Sequence, residues 1–181
     1  MKGVVFTEFV DFVETKYGLE LVDLLFSNCQ LESGGAYTSI ATYDVKELLQ
    51  LVGELSRQTD VSPSKLVVEY GRHLFRFFAR TRASMMSHLS SCEELMASVE
   101  NQIHVDVRKL YPDAELPSIK FERVSDLQSK VHYQSARPLA DLAEGLILES
   151  VVHFRDPITV VRKDLPPGDG CIAEFVLTRN V

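Results

Sequence analysis

The amino-acid sequence predicts an α+β fold, with a helical N-terminal lobe packed on a C-terminal lobe of antiparallel strands and helices. Three observations lead there. Apolar residues recur at helical spacing from Val4 to about Tyr111, period-two alternation replaces that spacing after Pro112, and one more helical stretch separates two pairs of alternating runs. From Val4 to about Lys16, Val5, Phe9, Phe12 and Val13 share a stripe that Phe6 and Val10 widen. Gly18 ends it, and Leu19 to Phe26 reads as a second helix before a loop containing Gly34-Gly35. Asp44-Val45-Lys46-Glu47 has the form of a capping box, and Leu48, Leu49, Leu51, Val52 and Leu55 carry a third helix toward Thr59. Ser62-Pro63 repeats the start signal with proline at the first helical position, and Leu66, Val67, Tyr70, Leu74, Phe77 and Phe78 continue to about Thr81. After a polar stretch with several serines, Met96, Val99, Ile103, Val107 and Leu110 form a narrow stripe on one helix from Glu93 to Tyr111, which stops before Pro112.

The C-terminal part changes texture. Ile119 to Val124 and Val131 to Ser135 alternate about a turn near Asp126 and read as a β-hairpin. Pro138 opens a helix through Leu139, Leu142, Leu146, Ile147 and Val151, and the runs Ile158 to Arg162 and Ile172 to Thr178 flank the turn-forming Pro166-Pro167-Gly168-Asp169-Gly170. With 181 residues, no internal repeat and no linker, the expectation is one domain over residues 1–181, its helical lobe covering about 1–60 and its α/β lobe about 61–181.

Composition narrows the function. The chain is 45% apolar and carries 26 acidic against 19 basic residues, a net charge of −7 spread along the sequence. That balance gives no footprint for a nucleic-acid backbone or an anionic membrane. Glu8, Asp11 and Glu14 interrupt the N-terminal apolar run before it reaches export or membrane-spanning length, so a cytoplasmic protein is expected. Cys29, Cys92 and Cys171 are far apart and odd in number, which argues against disulfides and structural zinc.

Two features carry chemistry. His104 lies about 100° from the centre of the Met96, Val99, Ile103, Val107 stripe and can address a second surface as a metal or haem ligand, with its other nitrogen oriented by a hydrogen bond. Taken alone, a histidine at a stripe edge is better read as a packing residue. Tyr133-Gln134-Ser135-Ala136-Arg137 projects three donors to one side of an extended chain, a set suited to carboxylates, although the same pattern arises on wet sheet faces.

At this point the sequence resembles the haem nitric oxide/oxygen-binding (H-NOX) family, bacterial relatives of the haem domain of soluble guanylate cyclase. The resemblance spans essentially the whole chain. It rests on Met1-Lys2-Gly3-Val4-Val5-Phe6, Gly35-Ala36-Tyr37-Thr38-Ser39, Tyr70-Gly71-Arg72-His73-Leu74-Phe75, His104 with Val107-Arg108-Lys109-Leu110-Tyr111-Pro112 and Leu116-Pro117, Tyr133-x-Ser135-x-Arg137, and Leu142-Ala143-Glu144-Gly145-Leu146-Ile147. It implies haem b between the lobes, His104 as proximal ligand, Tyr133, Ser135 and Arg137 on the propionates, and Pro117 pressing on the porphyrin. The matching distal pairs are Val5 and Phe9, Leu74 and Phe78, and Leu142 and Leu146, one helical turn apart in each case. Without the resemblance they would be read as core. Oxygen-binding relatives place a tyrosine at the position matching Leu142 and polar groups at those matching Phe9 and Leu74. All three are apolar here, leaving Tyr70 and His73 as the nearest candidate donors. Leu139 stands where some relatives have a zinc-ligating cysteine, so no zinc is expected.

The resemblance implies a non-enzymatic sensor that binds nitric oxide, and also carbon monoxide, at ferrous haem. Release or weakening of the His104 bond would then signal by a shape change to a partner in trans, a histidine kinase or a diguanylate cyclase/phosphodiesterase. The rival reading is a haem-free interaction or scaffold module. Catalysis on a small carboxylate ranks last, since the sequence offers no nucleophile and base pair, phosphate loop or metal cluster of usable spacing.

Overall fold

The computed structural model describes residues 1–180. Its α-helices are α1 (Val4–Tyr17), α2 (Leu19–Asn28), α3 (Val45–Thr59), α4 (Pro63–Thr81), α5 (Ala83–Met86), α6 (Cys92–Ser98), α7 (His104–Leu110) and α8 (Ala140–Phe154). The strands β1 (Ser118–Arg123), β2 (Gln128–Gln134), β3 (Ile158–Asp164) and β4 (Ile172–Arg179) form one antiparallel sheet in the order β1-β2-β4-β3. This is the α+β architecture that the alternation after Pro112 predicts.

The sheet's covered face follows from period-two geometry. Ser129, Val131 and Tyr133 of β2 stand opposite Leu177, Phe175 and Ala173 of β4, and all six are buried. With Ala140, Ala143 and Ile147 of α8, Cys92, Leu95 and Met96 of α6, and Phe75 of α4, the five of them other than Ser129 make one core. The other gathers Phe6, Phe9, Phe12 and Val13 of α1 with α2 and α3, and it reaches into Leu66, Val67, Tyr70 and Leu74 of α4 and Leu142 of α8. Helices α4 and α8 therefore feed both cores.

Their crossing is tight because it is built on glycine. A Cβ on Gly145 would lie 2.1 Å from the Val68 carbonyl oxygen, and one on Gly71 2.5 Å from that of Leu142, so the two backbones touch. Glu149 of α8, buried, adds ion pairs to Arg76 at 2.8 Å and Arg72 at 3.3 Å. A similar constraint explains Gly3, where a Cβ would fall 1.8 Å from the Thr38 carbonyl oxygen. The loop at residues 38–41 lies directly on the start of α1, with Gly3 N–H bonded to the Ala41 carbonyl at 2.8 Å and Val4 N–H to that of Ser39 at 3.0 Å.

Two sequence expectations need correction. The capping box at Asp44 is half formed: Asp44 accepts from Lys46 N–H at 2.9 Å, but Glu47 does not reach back. Glu47 is instead buried and accepts from Ser33 Oγ at 2.5 Å and Tyr37 Oη at 2.7 Å, pinning the preceding loop to α3. The expected single helix over Glu93–Tyr111 is α6 and α7 joined by a π-helical turn, Val99–Ile103, in which His104 N–H donates to the Val99 carbonyl, five residues back. The turn holds one extra residue, so everything after it is re-phased by about 100°. His104 takes the inward azimuth that regular winding gives Ile103 and is buried, whereas Leu110 is 59% exposed. The short helix α5 falls within the serine-containing stretch, whose lack of apolar periodicity concealed it.

Candidate functional site

His104 opens α7 with its two ring nitrogens in different states. Nδ1 lies 3.2 Å from Glu100 Oε2, one π turn earlier, and the same oxygen accepts from Ile119 N–H of β1 at 3.2 Å. Among the described residues the ring's hydrogen bond is at Nδ1 alone, which leaves Nε2 without a partner. Burial pushes the His104 pKa below the ordinary imidazole value, outweighing the opposing pull of Glu100, so the ring is neutral near pH 7. Burial tends to raise the Glu100 carboxyl, but the Ile119 amide and the His104 ring outweigh it and hold Glu100 ionised. An imidazole oriented at Nδ1 by a carboxylate, with its Nε2 lone pair free, is the arrangement of a metal-ligating histidine.

The Tyr133, Ser135, Arg137 set is brought together at the end of β2, though not as three side chains of one strand, because the strand ends at Gln134. Ser135 N–H donates to the Cys171 carbonyl at 2.8 Å, and Ser135 Oγ accepts from Arg137 N–H at 3.0 Å, which turns the chain. Tyr133 is buried and its hydroxyl is raised above the usual phenol range, chiefly by that burial. The Arg137 guanidinium donates to the Glu115 carbonyl at 3.1 Å and pairs with the Glu115 carboxylate. It borders a cavity of about 120 Å³, also lined by Met1, Lys2, Thr42, Asp113, Ala114 and Glu115. Glu115 lies two residues before Pro117, so this loop brings the arginine and the proline-containing segment into one neighbourhood.

The apolar pairs also converge. Phe9, Leu74 and Leu142 are buried in the first core, and Val5, Phe78 and Leu146 pack against it. Leu146 touches the second core as well, so it sits on the seam between the two. Of the candidate donors, Tyr70 is fully buried edge-on to Phe9, and its hydroxyl donates to the Val5 carbonyl. Its one proton is thereby committed. His73 points to Glu8 and Asp11 on α1.

Sequence reasoning passed over Glu100, Glu115, Lys2 and Asp113. The i−4 spacing from His104 could have identified Glu100. Lys2 Nζ pairs with Asp113 at 2.8 Å and with Thr42 Oγ1 at 3.0 Å, tying the entry of α1 to the segment after α7. No local pattern announces a contact 111 residues apart.

By chemistry these residues suit a flat apolar group with acidic arms and a metal centre: one oriented imidazole, a guanidinium beside a small polar cavity, and a set of buried apolar side chains. Comparison with known proteins places the chain in a family. A family model described as haem-NO-binding matches residues 2–162. The H-NOX protein of K. algicida, solved in the unliganded Fe(II) state, is 39% identical with a TM-score of 0.92, covering 100% of this chain and 97% of that one. The H-NOX protein of Shewanella woodyi, solved with IWP-051 in the Fe(II)CO state, is 36% identical with a TM-score of 0.84, covering 99% and 95%. That of S. oneidensis in the Fe(II)NO state is 23% identical with a TM-score of 0.91 over 100% of both chains, a likeness of fold alone. No curated protein matches. Among the described residues no helix is long and apolar enough to cross a membrane.

Proposed function

Since this chain belongs to the haem-NO-binding family, whose members are sensor domains rather than catalysts, we propose that it is a cytoplasmic nitric oxide sensor holding haem b through His104. The observation that carries this reading is the split state of the His104 ring, with Nδ1 held by Glu100 and Nε2 without a partner. Bound haem supplies the ferrous iron at which nitric oxide or carbon monoxide binds. His104 supplies a neutral nitrogen whose basicity Glu100 raises. Tyr133, Ser135 and Arg137 would hold the acidic arms, Arg137 giving up its contact with Glu115 to do so, and Pro117 would line the same site.

Val5, Phe9, Leu74, Phe78, Leu142 and Leu146 exclude water and present no donor. Bound oxygen accumulates negative charge and needs a donor in such a pocket, whereas nitric oxide and carbon monoxide carry little of that charge. Selection against oxygen is therefore by exclusion, because the Tyr70 proton is already given to Val5. Asp113, just beyond α7, is tied through Lys2 to the start of α1, so a movement of His104 and α7 would be passed on to α1. A partner in trans, a histidine kinase or a diguanylate cyclase/phosphodiesterase, reads the change only if its affinity differs between the two states.

The test is spectroscopic. The purified wild-type protein should show a haem Soret band and, reduced in air, form no persistent oxygen complex. His104→Gly should lose haem and regain it with added imidazole. A haem-free wild type would leave the scaffold reading, and full haem occupancy in His104→Gly without imidazole would remove His104 as the ligand.

A further inference from the structure

Where α1 meets α4, Glu8, Asp11 and His73 converge. His73 Nε2 lies 3.3 Å from Asp11 Oδ2 and 3.6 Å from Glu8 Oε2, and one ligand atom from each residue falls within 4.8 Å of the other two. Glu8 and Asp11 are three residues apart on α1 and so share a face. Neither contact is a hydrogen bond: Nε2 is sealed from solvent and has no bonded partner. An imidazole nitrogen buried beside two carboxylates and bonded to neither is an unusual arrangement, because buried polar atoms are ordinarily paired.

The separations suggest what would complete it. Ligands about 2.0 to 2.1 Å from a tetrahedral zinc ion stand roughly 3.3 Å from one another, close to both distances at His73. We propose that Glu8, Asp11 and His73 form a binding site for a divalent cation of the zinc type, with water as the fourth ligand. The donor set suits such an ion, with one imidazole nitrogen and two carboxylate oxygens. Asp11 is 57% exposed, which leaves an entry path. Of the neighbouring cations, Arg76 is engaged with Glu149, and the two carboxylates outnumber Arg80. The cysteine count could not reveal this site, since it uses none. Glu8 precedes Phe9 and His73 precedes Leu74, so a bound ion would fasten α1 to α4 beside the apolar wall.

The experiment uses the purified, tag-free protein with its haem. Zinc chloride is titrated calorimetrically, and zinc and iron are counted separately by elemental analysis after gel filtration. Wild type should bind one zinc per chain and melt at a higher temperature with it. His73→Gln and Asp11→Asn should each weaken binding by about tenfold or more, given that even outer-shell changes at metal sites cost that much. His132→Gln is the control and should bind as wild type, because its Nε2 is already partnered by Glu122 at 3.1 Å. Asp11→Asn changes a largely exposed side chain and keeps the test open if His73→Gln folds poorly. Equal zinc affinity in wild type and Asp11→Asn, or no zinc retained by wild type, would overturn the site. Iron content reports separately on the haem reading, which this proposal does not require.

Discussion

At the scale of single residues, the chemistry rests on groups whose partners come from distant segments. Arg137 illustrates this, because its guanidinium is already organised by Glu115 and borders the polar cavity. Removing a charged hydrogen-bond donor from a partly buried site costs about 1 to 3 kcal/mol. Arg137→Ala should therefore give up haem to apomyoglobin about tenfold faster or more, and Arg137→Lys should recover only part of the loss, since an ammonium cannot form the planar paired contact. Unchanged transfer in Arg137→Ala would remove it from the propionate set. The sequence singles out His104, Tyr133, Ser135 and Arg137 because their motifs are local and the ordered set resembles one family. It does not single out Glu115 and Glu100. A lone acidic residue in a loop or helix looks the same whether it faces water or a guanidinium, and only the folded chain distinguishes the two.

At the scale of elements, the π turn before α7 decides where His104 points. Regular winding would return the inward azimuth to Ile103 and turn His104 toward the helix flank. Deleting Asn101, an exposed residue within the turn, should remove the extra residue and rotate His104 by about 100°. The expected result is a folded protein, by far-UV circular dichroism, that has lost most of its haem. Retention of wild-type haem content would mean that the turn does not set the ligand's direction. Apolar periodicity located α1, α3 and α4 because each buries a continuous stripe, and α8 because apolar residues line both of its buried sides. It failed at the π turn because a stripe read with one fixed pitch cannot register an added residue, and it failed at Glu47, whose carboxylate serves a loop rather than its own helix end.

At the scale of the molecule, acid should loosen the sheet from the helices. Glu93 of α6 is buried and pairs with Arg179 of β4 at 2.7 Å and Arg123 of β1 at 3.5 Å. Burial alone would raise its carboxyl, but the Arg179 bond and the Arg123 charge outweigh it and hold the pKa below the free value of 4.5. The unfolded chain consequently takes up this proton first. The stability Glu93 contributes is fully present above pH 4.5 and is lost as pH falls from there through the folded-state pKa. Urea midpoints measured from about pH 6 to pH 3 should fall more steeply for wild type than for Glu93→Gln, and parallel curves would count against this role.

The helix crossing at Gly71 and Gly145 has a consequence for how the protein opens. Because α4 and α8 supply side chains to both cores, neither lobe can expose its interior without parting two backbones in direct contact. Local opening should thus be confined to the periphery, and the two lobes should share one cooperative unit. Native-state hydrogen exchange should place the slowest amides of α1, α4, α8, β2 and β4 in a single class with a common opening free energy. A helical lobe that exchanges ahead of the sheet would show that the shared helices do not couple them.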